Sequence, residues 1–282
     1  MFSVFLIYQK AVTVTNIQIL LLSVLQGLTE FLPVSSSGHL ILFSKFTTFP
    51  DQGPFLDVAV HVGSIMAVIL YFWRDIWQMI KDLWKSHFLP NFKISGAELA
   101  WLIVIATIPA VIAGFSLKSY GLENVRSAKL IGWTLVCYGI ILFFADKYGQ
   151  ITRKTNDLTI KDALIIGLAQ CLALIPGTSR SGITITAGRF LGLERREAAK
   201  FSMLLSIPTI AGAGLLMAIE LFQSRDLSGI TDAGHGVAYS FVASLGAIFI
   251  MMNWLKKWTF APFVIYRVAL GGYLLLDAYG WL

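Results

Sequence analysis

The sequence predicts an all-α, polytopic membrane protein with six transmembrane helices and two re-entrant helical hairpins, and three observations support this. The 282-residue chain is 56% hydrophobic and 13% charged, with a mean hydropathy of +0.73, so it carries more apolar surface than a soluble domain can bury. Six apolar segments are each long enough to cross a bilayer. Two further apolar segments are interrupted by Pro, Ser and Gly residues.

Each element follows from its local sequence. In the first interrupted segment, at about 16–46, Pro33 ends one apolar stretch and the serines after it can cap a second helix, which favours a hairpin over a straight crossing. The second interrupted segment, at about 160–192, has Pro176 in the corresponding place. The transmembrane helices, of about twenty residues each, are predicted at 55–73, 97–115, 127–146, 201–222, 236–255 and 260–280. The stretch from Arg74 to Lys93 is amphipathic and basic, which indicates a segment lying on the membrane surface.

The two interrupted segments contain a repeated motif. Residues 26–39 are Q-G-L-T-E-F-L-P-V-S-S-S-G-H, and residues 170–184 are Q-C-L-A-L-I-P-G-T-S-R-S-G-I-T. An offset of 144 residues aligns Gln26 with Gln170, Ser35 with Ser179 and Gly38 with Gly182, while the prolines differ by one position. The chain is therefore predicted to be one membrane domain, 1–282, built of two repeats at about 16–146 and 160–280.

Charge distribution predicts the orientation of the repeats. If each hairpin enters and leaves on one face, fourteen of the 22 Lys and Arg residues fall on one side of the membrane and six on the other. The richer side is predicted to be cytoplasmic, which places both termini outside. Each half has one hairpin and three spans, an odd number, so the halves should be inverted and the hairpin tips should meet near the midplane. The same dispersed charge explains the pI of 9.3 without nucleic acid as a partner.

The hairpin tips are predicted to bind an anion. The second arm of each hairpin begins at a serine cluster, so its N–H groups and helix dipole face the protein interior. Arg180 adds a planar cation suited to phosphate oxygens. The candidate phosphate-binding residues around it are Ser35, Ser37, Ser179, Ser181 and Thr184.

Gln26 and Glu30 are four residues apart and should share one helix face. Two oxygen-bearing side chains beside a phosphate site suit a hard divalent cation such as Mg²⁺, with Ca²⁺ also compatible. The alternative is that Gln26 only hydrogen-bonds across helices and Glu30 pairs with Arg180. Both interpretations stay open at this point.

His39 lies close in sequence to Ser35, Ser36 and Ser37, which together offer a nucleophile and a base for phosphoryl transfer. The pattern does not distinguish a covalent intermediate from an activated water, and one or two of the serines can be helix caps only. Asp57 and His61 share a helix face that could line an entrance or reach the interface.

Arg267 could extend to the interface or brace the site. Cys137 and Cys171 have no Cys or His companion and are interpreted as small core residues.

At this level of detail the chain resembles the undecaprenyl pyrophosphate phosphatases of the bacitracin-resistance type over essentially its whole length. The resemblance depends on Gln26-x-x-x-Glu30 with residues 33–39 and on residues 176–184. Further likeness lies in Phe55-Leu56-Asp57-Val58 with His61 and Gly63, and in Ile265-Tyr266-Arg267. It implies a multi-pass bacterial inner-membrane hydrolase that converts a C55 polyprenyl diphosphate, a lipid partner, to the monophosphate carrier used for cell-wall precursors.

The resemblance also implies roles for individual residues. Glu30, Ser36, His39 and Arg180 match the family's catalytic positions, and Ser179 and Thr184 match phosphate-contacting positions. The first motif position is Glu or Gln in the family, so Gln26 would leave more of a metal's charge to Glu30. A site open to the outer leaflet is expected, and homo-oligomerisation is left open.

Two other functions share some of these sequence features. A secondary transporter or lipid flippase would also use inverted repeats and broken helices, but it would need no nucleophile. The acid-phosphatase type of lipid phosphatase shares the letters P-S-G-H in part, but it requires an Arg-Pro dipeptide, which this sequence lacks. Phosphate release from a polyprenyl diphosphate separates the hydrolase from a pure transporter.

Overall fold

The computed structural model describes residues 15–47, 49, 53–119, 127–224 and 230–281. This part of the chain is helical and contains no β-strand beyond one isolated bridge between Arg153 and Leu193. Short 3₁₀ turns occur at Thr155–Asp157 and Leu172–Leu174. The α-helices are α1 (Asn16–Thr29), α2 (Ser36–Phe46), α3 (Gly53–Tyr71), α4 (Trp73–Lys85), α5 (Ser95–Ser119), α6 (Ala128–Tyr148), α7 (Ile160–Cys171), α8 (Arg180–Phe190), α9 (Arg195–Ser224), α10 (Ile230–Trp254) and α11 (Ala261–Ala278).

The helices confirm a multi-pass, all-α membrane protein. Among the described residues, four segments are long and apolar enough to cross a bilayer, and a fifth is obtained if the bent pair α3–α4 counts as one span. The four are Ser95–Leu117, Ala128–Tyr148, Ile230–Trp254 and Ala261–Ala278. The predicted spans at 55–73 and 201–222 also fall on helices, and among the described residues length and composition identify four to five of the six predicted spans.

Helix α4 turns away from α3 at Phe72, with a bend of 79°. Its tryptophans are exposed, and Lys81 Nζ lies 5.4 Å from the centre of the Trp77 ring. Lys200 Nζ donates to Asp75 Oδ1 at 2.5 Å, which ties α4 to α9. A sharply bent, amphipathic helix with exposed aromatic and basic side chains agrees with the predicted surface segment.

The breaks in the two interrupted segments have the same local geometry. Ser35 and Ser179 are the N-caps of α2 and α8, and both have positive φ values, 77° and 72°. The Ser35 hydroxyl accepts a hydrogen bond from Gly38 N at 3.3 Å, and the Ser179 hydroxyl accepts one from Gly182 N at 3.0 Å. The predicted serine caps are therefore confirmed at equivalent positions of the two motifs.

Glycines permit close helix contacts around the breaks. A Cβ placed on Gly27 would lie 2.8 Å from Ser240 O, so α1 and α10 touch through their backbones. A Cβ on Gly167 would lie 2.5 Å from Ala106 O, and α7 is equally close to α5. The largest buried apolar cluster draws on α3, α5, α7, α8, α9 and α10 and includes Phe31 from the first break.

A buried ionic cluster connects the ends of four helices. Arg189 is fully buried, and its Nε donates to Asp146 Oδ1 at 3.2 Å. Arg195 Nε donates to the same oxygen at 2.7 Å, and Phe260 N donates to Asp146 Oδ2 at 3.0 Å. Arg189 is one of the fourteen Lys and Arg residues that the sequence places on the richer side of the membrane. Its guanidinium is buried within the protein, where Asp146 and the carbonyls of Gly149, Gln150 and Leu193 satisfy it.

Asp146→Ala should destabilise the protein strongly, because two guanidinium groups and one amide would lose their acceptor. Removing one partner of a buried ion pair costs about 3–5 kcal/mol. Thermal unfolding in detergent should show a clearly lower midpoint than for the wild type. Asp277→Ala, which removes an exposed carboxylate from α11, is the matched control. Equal midpoints for the two variants would contradict this role of Asp146.

Candidate active site

Glu30 is the centre of the candidate site and caps the C-terminus of α1. Its side chain is buried, and Arg180 Nη2 donates to Glu30 Oε1 at 2.8 Å. The other oxygen, Oε2, accepts from Gln26 Nε2 at 2.8 Å and from Ser36 Oγ at 2.6 Å. The predicted meeting of Glu30 and Arg180, 150 residues apart in sequence, is confirmed.

The four side chains in these contacts all lie at helix ends. Gln26 and Glu30 lie one turn apart at the end of α1, while Ser36 and Arg180 are the first residues of α2 and α8. The two breaks touch, since a Cβ on Gly38 would lie 3.6 Å from Gly177 Cα.

Ser181 Oγ also donates to Leu32 O at 3.0 Å and links the start of α8 to the first break. The first N–H groups of α2 and α8 have no acceptor within their own helix. Both helices begin next to the Glu30 carboxylate and the Arg180 guanidinium.

Arg267 connects the two breaks through hydrogen bonds to their backbone carbonyls. It is fully buried, and its guanidinium donates to the carbonyls of Leu135, Pro33, Thr134, Gly177 and Thr178 at 2.9–3.3 Å. Of the two roles that the sequence left open, the structure supports bracing. No carboxylate lies within ion-pair distance of Arg267 in the described part of the chain, so its charge favours an anion nearby.

A Cβ on Gly182 would lie 2.8 Å from Arg267 Nη1, which explains a glycine at that position.

His39 does not contact the serine hydroxyls. Its Nδ1 lies 2.7 Å from Ser35 O, and its Nε2 lies 2.5 Å from the Tyr266 hydroxyl. A carbonyl oxygen only accepts, so Nδ1 carries the hydrogen and Nε2 accepts from Tyr266. The predicted pairing of His39 with a serine hydroxyl is not among the hydrogen bonds of the described residues: the Ser36 hydroxyl donates to Glu30, and α11 supplies Tyr266 as the partner of the imidazole.

Most of the predicted phosphate-binding hydroxyls have structural partners. Ser35 and Ser179 are caps, and Ser181 contacts a carbonyl of the first break. Thr184 Oγ1 donates to Arg180 O at 2.9 Å and lies 2.7 Å from Ser202 Oγ. These side chains are at most 5% exposed, whereas Ser36 is half-buried and Ser37 is exposed. The accessible hydroxyls are thus those of Ser36 and Ser37.

The sequence interpretation missed two neighbours of the site, His61 and Tyr266. His61 Nε2 lies 3.5 Å from Glu30 Oε2, although its position on α3 indicated only an entrance or the interface. Tyr266 is part of the Ile265-Tyr266-Arg267 segment of the family resemblance, but no role was predicted for its side chain, because it carries no charge. The available signals were an ionisable residue inside an apolar span for His61, and the neighbouring Arg267 for Tyr266.

The residues fit a cation held by few protein ligands. Gln26 Oε1 is buried without a hydrogen-bond partner, and it belongs to the side chain that contacts Glu30. Among the described residues there is no group of three His, Cys, Asp or Glu side chains with metal-site spacing. Of the two interpretations of Gln26 and Glu30, the pair with Arg180 is present, but Gln26 contacts Glu30 in its own helix rather than another helix.

Tyr266→Phe should lower kcat about tenfold, because His39 Nε2 would lose a hydrogen bond worth roughly 1 kcal/mol and with it a fixed orientation. KM should change less, since the Tyr266 hydroxyl hydrogen-bonds to His39 and is not expected to contact the substrate. Tyr239→Phe on α10 removes an exposed phenol elsewhere and should leave both constants unchanged. Wild-type kcat in Tyr266→Phe would show that His39 does not need this partner.

Comparison with known proteins identifies the family of this chain. The model of the family described as bacitracin resistance protein BacA matches residues 19–273. Proteins named undecaprenyl-diphosphatase are similar over nearly their whole length. One from Roseobacter denitrificans is 50% identical over 94% of this chain and 99% of its own. Others from Dinoroseobacter shibae and Hahella chejuensis are 47% and 46% identical with the same coverage. The chain therefore belongs to the bacitracin resistance protein BacA family.

Proposed function

We propose that this protein is an integral membrane phosphatase that hydrolyses undecaprenyl diphosphate to the monophosphate and inorganic phosphate, and so recycles the lipid carrier for cell-wall synthesis. Family membership and the names of the relatives support the substrate. The observation that carries the proposal is the contact of Ser36 and Arg180 with the two oxygens of buried Glu30.

Ser36 is proposed as the nucleophile and Glu30 as its base. The 2.6 Å hydrogen bond from Ser36 Oγ to Glu30 Oε2 is in place to move the hydroxyl proton to the carboxylate. Oγ would then form a bond to the terminal phosphorus while the bond from phosphorus to the bridging oxygen breaks, and the lipid monophosphate leaves. Glu30 would pass the serine proton to the leaving bridging oxygen and become a carboxylate again. It would then deprotonate the water that attacks the phosphoserine phosphorus, and return that proton to Ser36 Oγ as inorganic phosphate leaves.

Arg180 is proposed to bind the terminal phosphate. Two of its five N–H groups go to Glu30 Oε1 and Ser202 O, which fix the plane of the guanidinium and leave N–H groups for phosphate oxygens. Gln26 and Glu30 are proposed to hold Mg²⁺ or another divalent cation such as Ca²⁺, which would neutralise phosphate charge when bound.

Ser37, which is exposed near the start of α2, is proposed to contact the diphosphate. His39, whose ring nitrogens are held by Ser35 O and Tyr266, is proposed to position this end of α2.

The proposed topology has six spans and two re-entrant hairpins, α1–α2 and α7–α8, in inverted repeats. Helix packing supports it: α1 lies against α10, and α7 lies against α5, as expected if a two-fold axis exchanges the halves. The identical capping of α2 and α8 supports the same symmetry.

The proposed orientation places the site toward the outer leaflet of the bacterial inner membrane, with both termini outside. It depends on the sequence distribution of Lys and Arg. Lys10, Arg126 and Arg225 from the poorer face lie outside the described residues, as do the side chains of Lys45 and Lys118.

Purified protein in detergent should release phosphate from undecaprenyl diphosphate, and a chelator should suppress the release. A transporter or flippase would release none, and that result would refute the proposal.

Ser36→Ala should reduce kcat by about 10³-fold or more if Ser36 is the nucleophile, since the covalent step is lost. Ser116→Ala on α5, which removes an exposed hydroxyl outside the proposed site, is the matched control and should have a small effect. Acid-quenched protein should carry phosphate on Ser36 during turnover. A Ser36→Ala protein within tenfold of the wild type would assign attack to water instead.

A further inference from the structure

We infer that His61 is a third protein ligand of the divalent cation, beside Gln26 and Glu30, and that this mixed nitrogen and oxygen set prefers Mn²⁺ or another first-row transition metal to Ca²⁺. The inference rests on the proposed function, because it concerns the same site. It adds a ligand from α3 and a metal preference, neither of which follows from the two motifs.

The first observation is the tautomer of His61. Its Nδ1 lies 2.6 Å from the backbone carbonyl oxygen of Asp57, one turn earlier in α3. That oxygen can only accept, so Nδ1 carries the hydrogen and Nε2 has the free lone pair in the neutral ring. A metal-binding histidine is typically fixed in this way, with its second ring nitrogen donating to a carbonyl or carboxylate.

The second observation is what His61 Nε2 faces. It lies 3.5 Å from Glu30 Oε2, and the His61 side chain is 27% exposed while that of Glu30 is 5% exposed. Glu30 Oε2 already accepts hydrogen bonds from Gln26 and Ser36, which occupy its two lone pairs. A lone pair on nitrogen beside a carboxylate oxygen is repulsive, so the contact requires either a proton or a cation between the two atoms. A divalent cation with both atoms as ligands supplies the larger positive charge.

The third observation is the unpartnered oxygen of Gln26. Gln26 is fully buried, and its Oε1 has no hydrogen-bond partner, which is costly inside a protein. Half a turn of the amide about its last side-chain bond exchanges the nitrogen and the oxygen. That turn would direct Oε1 toward Glu30, where two oxygens are stable together only around a cation. One carboxylate oxygen, one amide oxygen and one imidazole nitrogen then converge.

The chemistry of this set determines the preferred ion. Ca²⁺ binds almost entirely through oxygen and takes six to eight ligands. Imidazole favours first-row transition metals, and a single carboxylate with an amide oxygen remains compatible with Mn²⁺. His61 should therefore raise the affinity for Mn²⁺ more than the affinity for Ca²⁺.

The test uses Mn²⁺ bound to the full-length protein in detergent, measured by electron paramagnetic resonance. Electron spin echo modulation should show ¹⁴N coupled to bound Mn²⁺. Labelling histidine with ¹⁵N should replace the ¹⁴N modulation by a ¹⁵N modulation in the wild-type protein, because the coupled nitrogen belongs to histidine. His61→Gln should remove the nitrogen signal and weaken Mn²⁺ binding about 10- to 100-fold. His235→Gln on α10, which replaces an exposed histidine, should keep both wild-type values.

Competition with Ca²⁺ completes the test. Ca²⁺ should displace Mn²⁺ poorly from the wild type and more easily from His61→Gln. Bound Mn²⁺ without histidine nitrogen coupling in the wild type would overturn the inference, as would a nitrogen signal that persists in His61→Gln. Either result is compatible with metal-assisted phosphate release, so the inference can fail while the proposed function stands. Absence of phosphate release would instead refute the proposed function.

Discussion

Arg180→Ala is expected to reduce phosphate release from undecaprenyl diphosphate by about 10³-fold or more. A guanidinium that stabilises a transferring phosphoryl group contributes rate factors of this size. Arg180 has the required position, because Glu30 Oε1 and Ser202 O hold its plane while other N–H groups can reach phosphate. The loss should appear chiefly in kcat, since the interaction strengthens as charge develops in the transition state.

Two companion variants separate chemistry from folding. Arg180→Lys keeps the charge but not the planar fork, and it should recover only part of the lost activity. Arg196→Ala removes an exposed arginine from the first turn of α9 and should have wild-type activity. Each variant should be compared by its thermal unfolding midpoint, because Arg180→Ala leaves a buried carboxylate without its ion-pair partner. A stable Arg180→Ala protein within tenfold of the wild-type kcat would remove the phosphate-site assignment.

Glu30→Gln should cause a loss of comparable size through a different mechanism. The amide has nearly the shape of the carboxylate, but it cannot take the Ser36 proton, pair with Arg180 or neutralise a cation. We expect kcat to fall about 10³-fold or more, together with a large loss of Mn²⁺ and Mg²⁺ affinity. Glu194→Gln, which changes a carboxylate just before α9, is the control with the same chemistry elsewhere. Retained metal binding with lost activity would limit Glu30 to the role of base.

Local sequence patterns predicted the parts of this site that depend on helix periodicity and capping. Gln26 and Glu30 share a face because they are four residues apart, and Ser35 caps α2 because serine follows a helix-ending proline. The repeated motif also predicted that Glu30 and Arg180 meet. Such features follow from spacing within one segment or from symmetry between two segments.

Contacts from other helices could not be predicted in this way. His61 reaches Glu30 from α3, and Tyr266 reaches His39 from α11, since the packing of distant helices decides which side chains face the site. The same packing turns Thr184 toward Ser202. Hydroxyls expected to bind phosphate thus satisfy buried neighbours, and a histidine expected to line an entrance lies beside the central carboxylate.

The proposed mechanism requires Glu30 and Arg180 to form one catalytic centre, and a double-mutant cycle tests this directly. Phosphate release from undecaprenyl diphosphate would be measured for the wild type, Glu30→Gln, Arg180→Lys and the double variant. Because residues that act as a unit have non-additive effects, the double variant should be little slower than the slower single variant. If the two losses in kcat instead multiply, Glu30 and Arg180 act independently and the proposed centre is wrong.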